Sequence, residues 1–394
     1  MVSAAYDNLV AIVIVGVIFI GTVVAMPFST LGTVDQQQLR NAALNVFDAM
    51  LLDVGSPSNW GSVLSIDSKG SVYFDPTKVD RFGLAYADPF SKFVLDPDKV
   101  QRLNEDELGY EKIRELLNIQ DTYGFQFVIY RPFTVTPTLD IDDIENSIHF
   151  SVSVTRAEDG TPIPNAEVKV TTFVTATNAT DMYDFIAQPI TPYVTTTDVT
   201  GYCEDTLYPE VGNYVLKYAV AVMEITVAGM ATTVVEESDD SITQYIDMRT
   251  YGDTVVLSIR GAGNFVFGDN GANRNIEMVA AYDSKNVIPI PYDEKSDNVN
   301  WGGQNVTMTF PGIRSLNPTV LLIGLIVRLS ATPGEPGSGG PTPVLVAGPF
   351  GFADSGKVFE VGDLSNSQDP IAVMRRLIVI SDMTYVAEIS FWRE

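Results

Sequence analysis

The chain has 394 residues, 24 Lys+Arg against 50 Asp+Glu, a formal net charge of −26 and 45% hydrophobic residues. That length holds two or three domains with cores of their own, and that apolar content excludes wholesale disorder. The acidity opposes nucleic acid and anionic lipid headgroups as partners, while a single cysteine (Cys203) and a single histidine (His149) exclude an intramolecular disulfide and a Cys/His zinc site.

The N-terminal region carries the strongest signal. Leu9 to Met26, LVAIVIVGVIFIGTVVAM, is uncharged and ends at Pro27. As a helix it would be roughly 27 Å long, close to the hydrocarbon thickness of a bilayer. The preceding MVSAAYD has no Lys or Arg, and the apolar run exceeds a signal-peptide core, which favours a retained helix over a cleaved leader. Membrane lipid around residues 9–26 is therefore one expected partner. A second, amphipathic helix is predicted from about Val34 to Val54. Thr33-Val-Asp-Gln36 reads as a capping box, and Leu39, Ala43, Val46, Phe47, Met50 and Val54 form the apolar stripe, with Gly55 and Pro57 as the stop. Two architectures fit this pair of helices: a pilin-like subunit, or a plain anchor with a stalk helix packed on the first domain.

Residues 58–146 read as mixed α/β. Short strands are expected at Ser62–Ile66 and Ser71–Phe74. Asp75-Pro76 and Asp96-Pro97 look like helix starts, Tyr110–Ile119 like a helix, and Phe125–Phe133 like a strand. The charged pairs here read as solvated faces. The phrases QQQLRNAAL, LLDVGSPSNWGS, FGLAYADP, LDPDKVQRL and YEKIRELLNIQDTYGFQFVIYRPF resemble a group of archaeal membrane-anchored, type IV pilin-like proteins. The resemblance covers about residues 1–135 and the last 24, IAVMRRLIVISDMTYVAEISFWRE. It implies an archaeal envelope protein and brings no catalytic residues. The chain departs from true pilins in having no Lys/Arg-Gly or Lys/Arg-Ala processing step, and in placing Asp7 ahead of the apolar run.

From about Ile148 to Glu236 the runs HFSVSVTRA, AEVKVTTFV and YVLKYAVAV alternate as half-buried strands do, separated by Gly/Asp/Pro turns. GTPIPNAEVKV, TTTDVTGYCEDTL and VGNYVLKYAV are similar to Ig-like and carboxypeptidase-regulatory-like (prealbumin-type) β-sandwiches, which implies a spacer or adhesion module. The remainder is β-rich, with strands expected at 253–260, 275–281, 305–310, 320–329, 343–346, 374–380 and 384–392. Val320–Leu329 (VLLIGLIVRL) is too short to span a bilayer and reads as a strand buried on both faces. SATPGEPGSGGPTP between strands reads as an exposed excursion.

Few motifs carry chemistry. Gly351 to Lys357 approximates a phosphate-binding loop, but Val358 stands where Ser or Thr would hold magnesium. Asp140, Asp142, Asp143 and Glu145 offer hard oxygen ligands for calcium in what looks like an interdomain linker, without the glycine of an EF-hand. Asn178-Ala-Thr180 and Asn305-Val-Thr307 are sequons for glycosylation outside the cell. His149 and Cys203 lie on alternating strands, where His149 reads as one residue of a strand face and Cys203 as core packing. No other cofactor is implied.

The expectation is a mainly β protein with an N-terminal transmembrane and amphipathic helix, a small α/β domain, and Ig-like or prealbumin-like β-sandwiches. The expected segments are 1–55 (helices), 56–146 (α/β), 147–236 (sandwich) and 237–394 (β-rich). The expected function is a non-enzymatic archaeal cell-surface structural protein. It would be membrane-anchored with its bulk extracytoplasmic, and would self-associate or contact other envelope or pilus subunits. The alternatives are an accessory component or receptor of a secretion or pilus machine and, with no supporting feature, an anchored hydrolase.

Overall fold

The computed structural model describes residues 30–66, 72–87, 92–120, 122–178, 180, 184–238, 246–259, 265–267, 276–283, 286–292, 299–301, 305–329, 341–348, 359–364 and 371–394. The apolar run 9–26 and the loop 351–357 lie outside them. Among the described residues no helix is long and apolar enough to cross a membrane.

The first helix, Thr30–Leu52, buries Leu39, Ala43, Phe47, Met50 and Leu51, residues spaced to share one face. The chain is already helical at Thr30, so Thr33–Gln36 lies inside the helix instead of capping it. Between Pro27 and the expected start no further proline interrupts, and Gly32 alone costs only about 1 kcal/mol. The exit is as expected: Gly55 takes φ +77° and donates its N–H to Asp53 Oδ1 at 2.8 Å.

A hairpin of β1 (Leu64–Ile66) and β2 (Val72–Phe74) follows, then β3 (Val94–Leu95), the short helices Pro97–Val100 and Tyr110–Leu116, and β4 (Tyr123–Tyr130). Both Asp-Pro starts form as their chemistry dictates. Asp75 Oδ1 accepts the Thr77 N–H at 3.1 Å and Asp96 Oδ1 accepts the Asp98 N–H at 3.0 Å.

The second unit contains β5 (Phe133–Asp142), β6 (Ser147–Arg156), β7 (Glu167–Asn178), β8 (Phe185–Pro189), β9 (Tyr193–Thr196), β10 (Tyr202–Leu207), β11 (Tyr214–Val227) and β12 (Met230–Glu237). One sheet runs β10-β6-β5. The other runs β12-β11-β7-β8, with β9 also on β7. Their facing residues, among them Val152, Val154, Val168, Val170 and Leu216, make one core. The boundary expected at 146/147 falls inside this unit, because β5 and β6 pair along their whole length from Phe133↔Arg156 to Asp142↔Ser147. The alternation that ties β5 to β6 begins one residue after Pro132, not at the acidic turn.

The third unit contains β13 (Ile246–Tyr251), β14 (Thr254–Ile259), β15 (Phe265–Phe267), β16 (Ile276–Tyr282), β17 (Val287–Pro289), β18 (Val299–Trp301), β19 (Asn305–Thr309), β20 (Val320–Leu329) and β21 (Pro341–Gly348). Its sheets run β13-β14-β19-β18 and β15-β20-β16-β17, with β21 also on β20.

The chain then returns to the first unit through β22 (Phe359–Val361), β23 (Ala372–Ile380) and β24 (Met383–Arg393), giving the sheet β22-β4-β24-β23-β3. The expected domain 237–394 is thus split. Ala387, Ile389 and Phe391 pair with Ile129, Phe127 and Phe125 on the face that the first helix covers, and this apolar match draws the C-terminus back.

The two sandwiches also stack on each other. Phe173, Tyr218, Val220 and Val222 of the β7–β11 sheet meet Met278, Ala280, Val320 and Leu322 of the β16–β20 sheet. Val320–Leu325 is buried throughout, as a doubly covered strand requires. The centres of β7 and β11 are buried on both faces too, where simple alternation had been expected. At Gly324 the sheets approach so closely that a Cβ would sit 2.8 Å from Ala187 Cβ. Gly324→Ala is expected to lower stability by about 1–3 kcal/mol in chemical denaturation; an unchanged midpoint would mean that the sandwiches do not press together there.

Candidate functional site

The short helix Pro97–Val100 and the turn after it place a dense set of charges where the first and third units meet. Asp96, Asp98, Lys99, Gln101 and Arg102 are all buried, Lys99 and Arg102 with 0% exposure. These charged pairs had been read as solvated faces, and the structure corrects that. A four-residue helix capped by Asp96 cannot turn one side to water while β13 closes over it.

Arg102 is the centre of the cluster. Its Nη1 donates to Glu107 Oε1 at 2.5 Å, its Nη2 to the Thr250 carbonyl at 2.6 Å and its Nε to the Asp98 carbonyl at 3.1 Å. The guanidinium lies 3.9 Å from the centre of the Tyr251 ring, a cation–π contact. Around it, Gln101 and Thr250 exchange two hydrogen bonds: Gln101 Nε2 donates to Thr250 Oγ1 at 2.8 Å and the Thr250 N–H to Gln101 Oε1 at 3.1 Å. Asp98 accepts the Thr250 hydroxyl at 3.0 Å and the Gly252 N–H at 2.9 Å. Glu107 also takes Arg249 at 3.0 Å and the Tyr251 hydroxyl at 3.1 Å. Burial would raise the Glu107 carboxyl, but Arg102 and Arg249 outweigh it and hold the group below its ordinary range.

A second knot lies alongside. Lys99 Nζ donates to the carbonyls of Val54 and Ala85, both at 2.8 Å, and sits 3.8 Å from Asp96. Asp96 also meets Arg314 at 3.4 Å, and Arg314 Nη1 donates to Ser62 Oγ at 2.9 Å. Burial and then Asp98 push the Asp96 carboxyl up to about 6, against the pull of Lys99 and Arg314. Burial pushes the Lys99 ammonium down to about 8, which Asp96 opposes.

Perturbed acids and a perturbed lysine often mark active sites. Here the neighbouring crevice, bounded by Tyr86, Asp96, Asp98, Thr250 and Arg314, has only about 30 Å³ of space. That is roughly a water's share of liquid volume. The polar groups face one another instead of a substrate, so the arrangement acts as a clamp between units.

The residues singled out from sequence lie elsewhere and apart. Asp140 is on the exposed side of β5, and Asp142, Asp143 and Glu145 sit at the β5–β6 turn, where Asp142 Oδ1 accepts the N–H groups of Ile144 and Glu145 at 2.9 and 3.0 Å. They belong to a hairpin, not to a linker between domains. No group of three or more His, Cys, Asp or Glu side chains that could hold a metal ion occurs among the described residues. Asn178 ends β7, its Oδ1 accepting the Thr180 hydroxyl at 2.9 Å and its Nδ2 donating to Asp184 at 3.0 Å. Asn305 opens β19. His149 lies on the exposed side of β6, 2.7 Å from the Thr206 hydroxyl. Cys203 packs in the second core, and burial, then Asp198, pushes its thiol up to about 11. The signal that could have exposed the clamp is LDPDKVQRLNEDE, whose charges crowd a helix too short to be amphipathic.

No family model matches the chain, and no curated protein matches it. Among solved structures the chain is similar to the C-terminal 282-residue fragment of intimin, determined in complex with the translocated intimin receptor intimin-binding domain. The identity is 15%, the match covers 56% of this chain and 64% of the fragment, just under two thirds of its length, and the TM-score is 0.17. A TM-score that low does not superpose two folds, so this likeness informs neither architecture nor function.

Two outcomes follow. Arg102→Ala removes one of the two cations on Glu107 and the buried donors to the Thr250 and Asp98 carbonyls, and is expected to cost about 3–5 kcal/mol in denaturation. The Asp96 effect has a definite sign: a folded pKa above the unfolded 3.8 contributes stability that is full in acid and is lost as pH rises through about 6. The stability of the wild type relative to Asp96→Asn is therefore expected to fall between about pH 4 and about pH 6; a flat difference would refute the burial of an ionising Asp96.

Proposed function

We propose that the chain is a non-enzymatic surface protein, held in the membrane by residues 9–26 and presenting its β units outside the cell. The observation that carries this reading is the first helix. It follows the apolar run in sequence, and Leu39, Ala43, Phe47, Met50 and Leu51 build it into the core of the first unit. A membrane segment joined to such a helix holds the whole body, because that core also contains the C-terminal strands. The sequence resemblance to archaeal pilin-like envelope proteins, and of the second unit to Ig-like modules, supports the same reading. So does the clamp, whose charges serve cohesion and not turnover. Calcium at the β5–β6 turn and glycans at Asn178 and Asn305 are not needed for it.

The test is fractionation of cells making the full chain. The protein is expected in the membrane fraction, resistant to alkaline carbonate, with peptides from residues 133–348 released by protease from intact cells. Removing residues 1–27 is expected to release a folded, soluble body. Recovery of the full chain in the soluble fraction would overturn the anchor.

A further inference from the structure

The sheet β22-β4-β24-β23-β3 ends on a strand whose outer side is open over most of its length. β3 covers only Val379 and Ile380, so Ala372–Ile378 of β23 has no strand on that side among the described residues. Which backbone groups face outward follows from the turn. Ser381 and Asp382 both take positive φ, and Ile380 and Met383 close this two-residue loop as a hydrogen-bonded pair. Ile380, Ile378, Arg376, Met374 and Ala372 therefore bond to β24, while Val373, Arg375, Leu377 and Val379 aim their N–H and C=O groups away from it. The Val379 N–H confirms this phase by donating to the Phe93 carbonyl at 2.9 Å.

Free strand edges are templates for another chain, and proteins guard them. Here the edge strands β5, β8, β17 and β21 each contain a proline. β23 has none, and two of its three open residues are apolar: Val373 is 55% exposed and Leu377 56%. Its two arginines are occupied within the chain, Arg375 with Glu388 at 2.5 Å and Glu158 at 3.7 Å, and Arg376 with Asp48 at 3.5 Å. Asp48 belongs to the first helix, which packs on β23 and β24. Its contact with Arg376 marks the flank of that helix that overhangs the open edge. One turn to either side of Asp48, Leu44 and Leu52 are 36% and 43% exposed.

We propose that β23 pairs antiparallel with β23 of a second copy, joining two five-stranded sheets into one. A second copy is the occupant because the edge complements itself. An antiparallel pair of like strands is two-fold symmetric, and three registers pair one open residue with another. Centred on Arg375, the register sets Arg375 against the partner's Arg375, a like-charge pair. Centred on Arg376, it needs the Val379 edge that β3 already holds. Centred on Met374, it pairs Val373 with the partner's Arg375 and Ile371 with the partner's Leu377, and opposes no like charges. The helices agree with this choice. Each lies over β23 and β24, so the two would stand two strand spacings apart, about 10 Å, the distance at which helices pack. Leu44 and Leu52 then have a surface to cover them. The two-fold runs the helices in opposite directions, so the pair joins copies whose N-termini point apart, as on facing surfaces. That facing arrangement rests on the reading of a surface anchor; the strand pairing does not.

The full chain in detergent micelles is followed by sedimentation velocity over a concentration series. Wild type is expected to reach a closed dimer and no larger species. Val373→Pro removes an outward N–H without touching the bonds to β24, and Leu44→Asp alters only the helix flank. Each is expected to weaken the dimer about tenfold or more. Thermal unfolding checks both variants, and Leu44→Asp, at an exposed position, reads the same contact if the proline variant does not fold. Met374→Cys reads the register. Met374 meets its own copy at a non-hydrogen-bonded site, where side chains come closest, so this variant is expected to cross-link into a dimer under mild oxidation, and Val373→Cys is not. The natural Cys203 is buried and does not compete. A monomeric wild type, variants that dimerise like wild type, or a cross-link at Val373→Cys instead of Met374→Cys would each overturn the pairing. A membrane-bound but monomeric chain would remove the contact and leave the anchor standing; a dimeric but soluble chain would do the reverse.

Discussion

The structure depends on an apolar contact between two sheets that each also face a sandwich core. β7 and β11 on one side, β16 and β20 on the other, bury residues in both directions, so four sheets lie in series instead of two separate pairs. Burial of this kind is non-directional and scales with area, and it holds broad faces together without fixing them in register. What fixes the register here is shape, above all the close approach at Gly324 and Ala187.

The polar clamp supplies the direction that apolar burial lacks. Arg102 binds backbone and side chain across the seam, and its rivals for burial, Asp98 and Glu107, are themselves satisfied from β13. The β23–β24 hairpin adds a third tie, because the Thr319 hydroxyl donates to the Ser381 carbonyl at 2.9 Å and the Thr233 hydroxyl to the Met383 sulfur at 3.0 Å. Topology reinforces these ties. Both sandwiches lie between β4 and β22, as one long excursion from a unit that the first helix opens and β24 closes. A load applied at the far sandwich therefore reaches the first unit through two chain crossings and the clamp, not through one flexible linker.

Much of this was legible in residue patterns. The stripe Leu39 to Met50, the Asp-Pro caps, the doubly buried VLLIGLIVRL and most strands of the C-terminal half follow from spacing and local chemistry. What was not legible is pairing at long range. Ile389 and Phe391 carry no local mark that their partners are Phe127 and Phe125, more than two hundred residues earlier, and β5 was not among the expected strands, which stopped at Phe133. The clamp was hidden for a related reason: a charged segment reads as solvated unless the strand that covers it is known. The acidic turn was noticed, but that it closes a hairpin and does not link two domains follows only from the pairing of β5 with β6.

Scanning calorimetry of the full chain tests most directly whether these units form one body. Continuous burial through four sheets and a shared clamp require a single transition whose van't Hoff and calorimetric enthalpies agree. Two or three separate transitions, with a van't Hoff enthalpy well below the calorimetric one, would contradict that account and make the units independent beads.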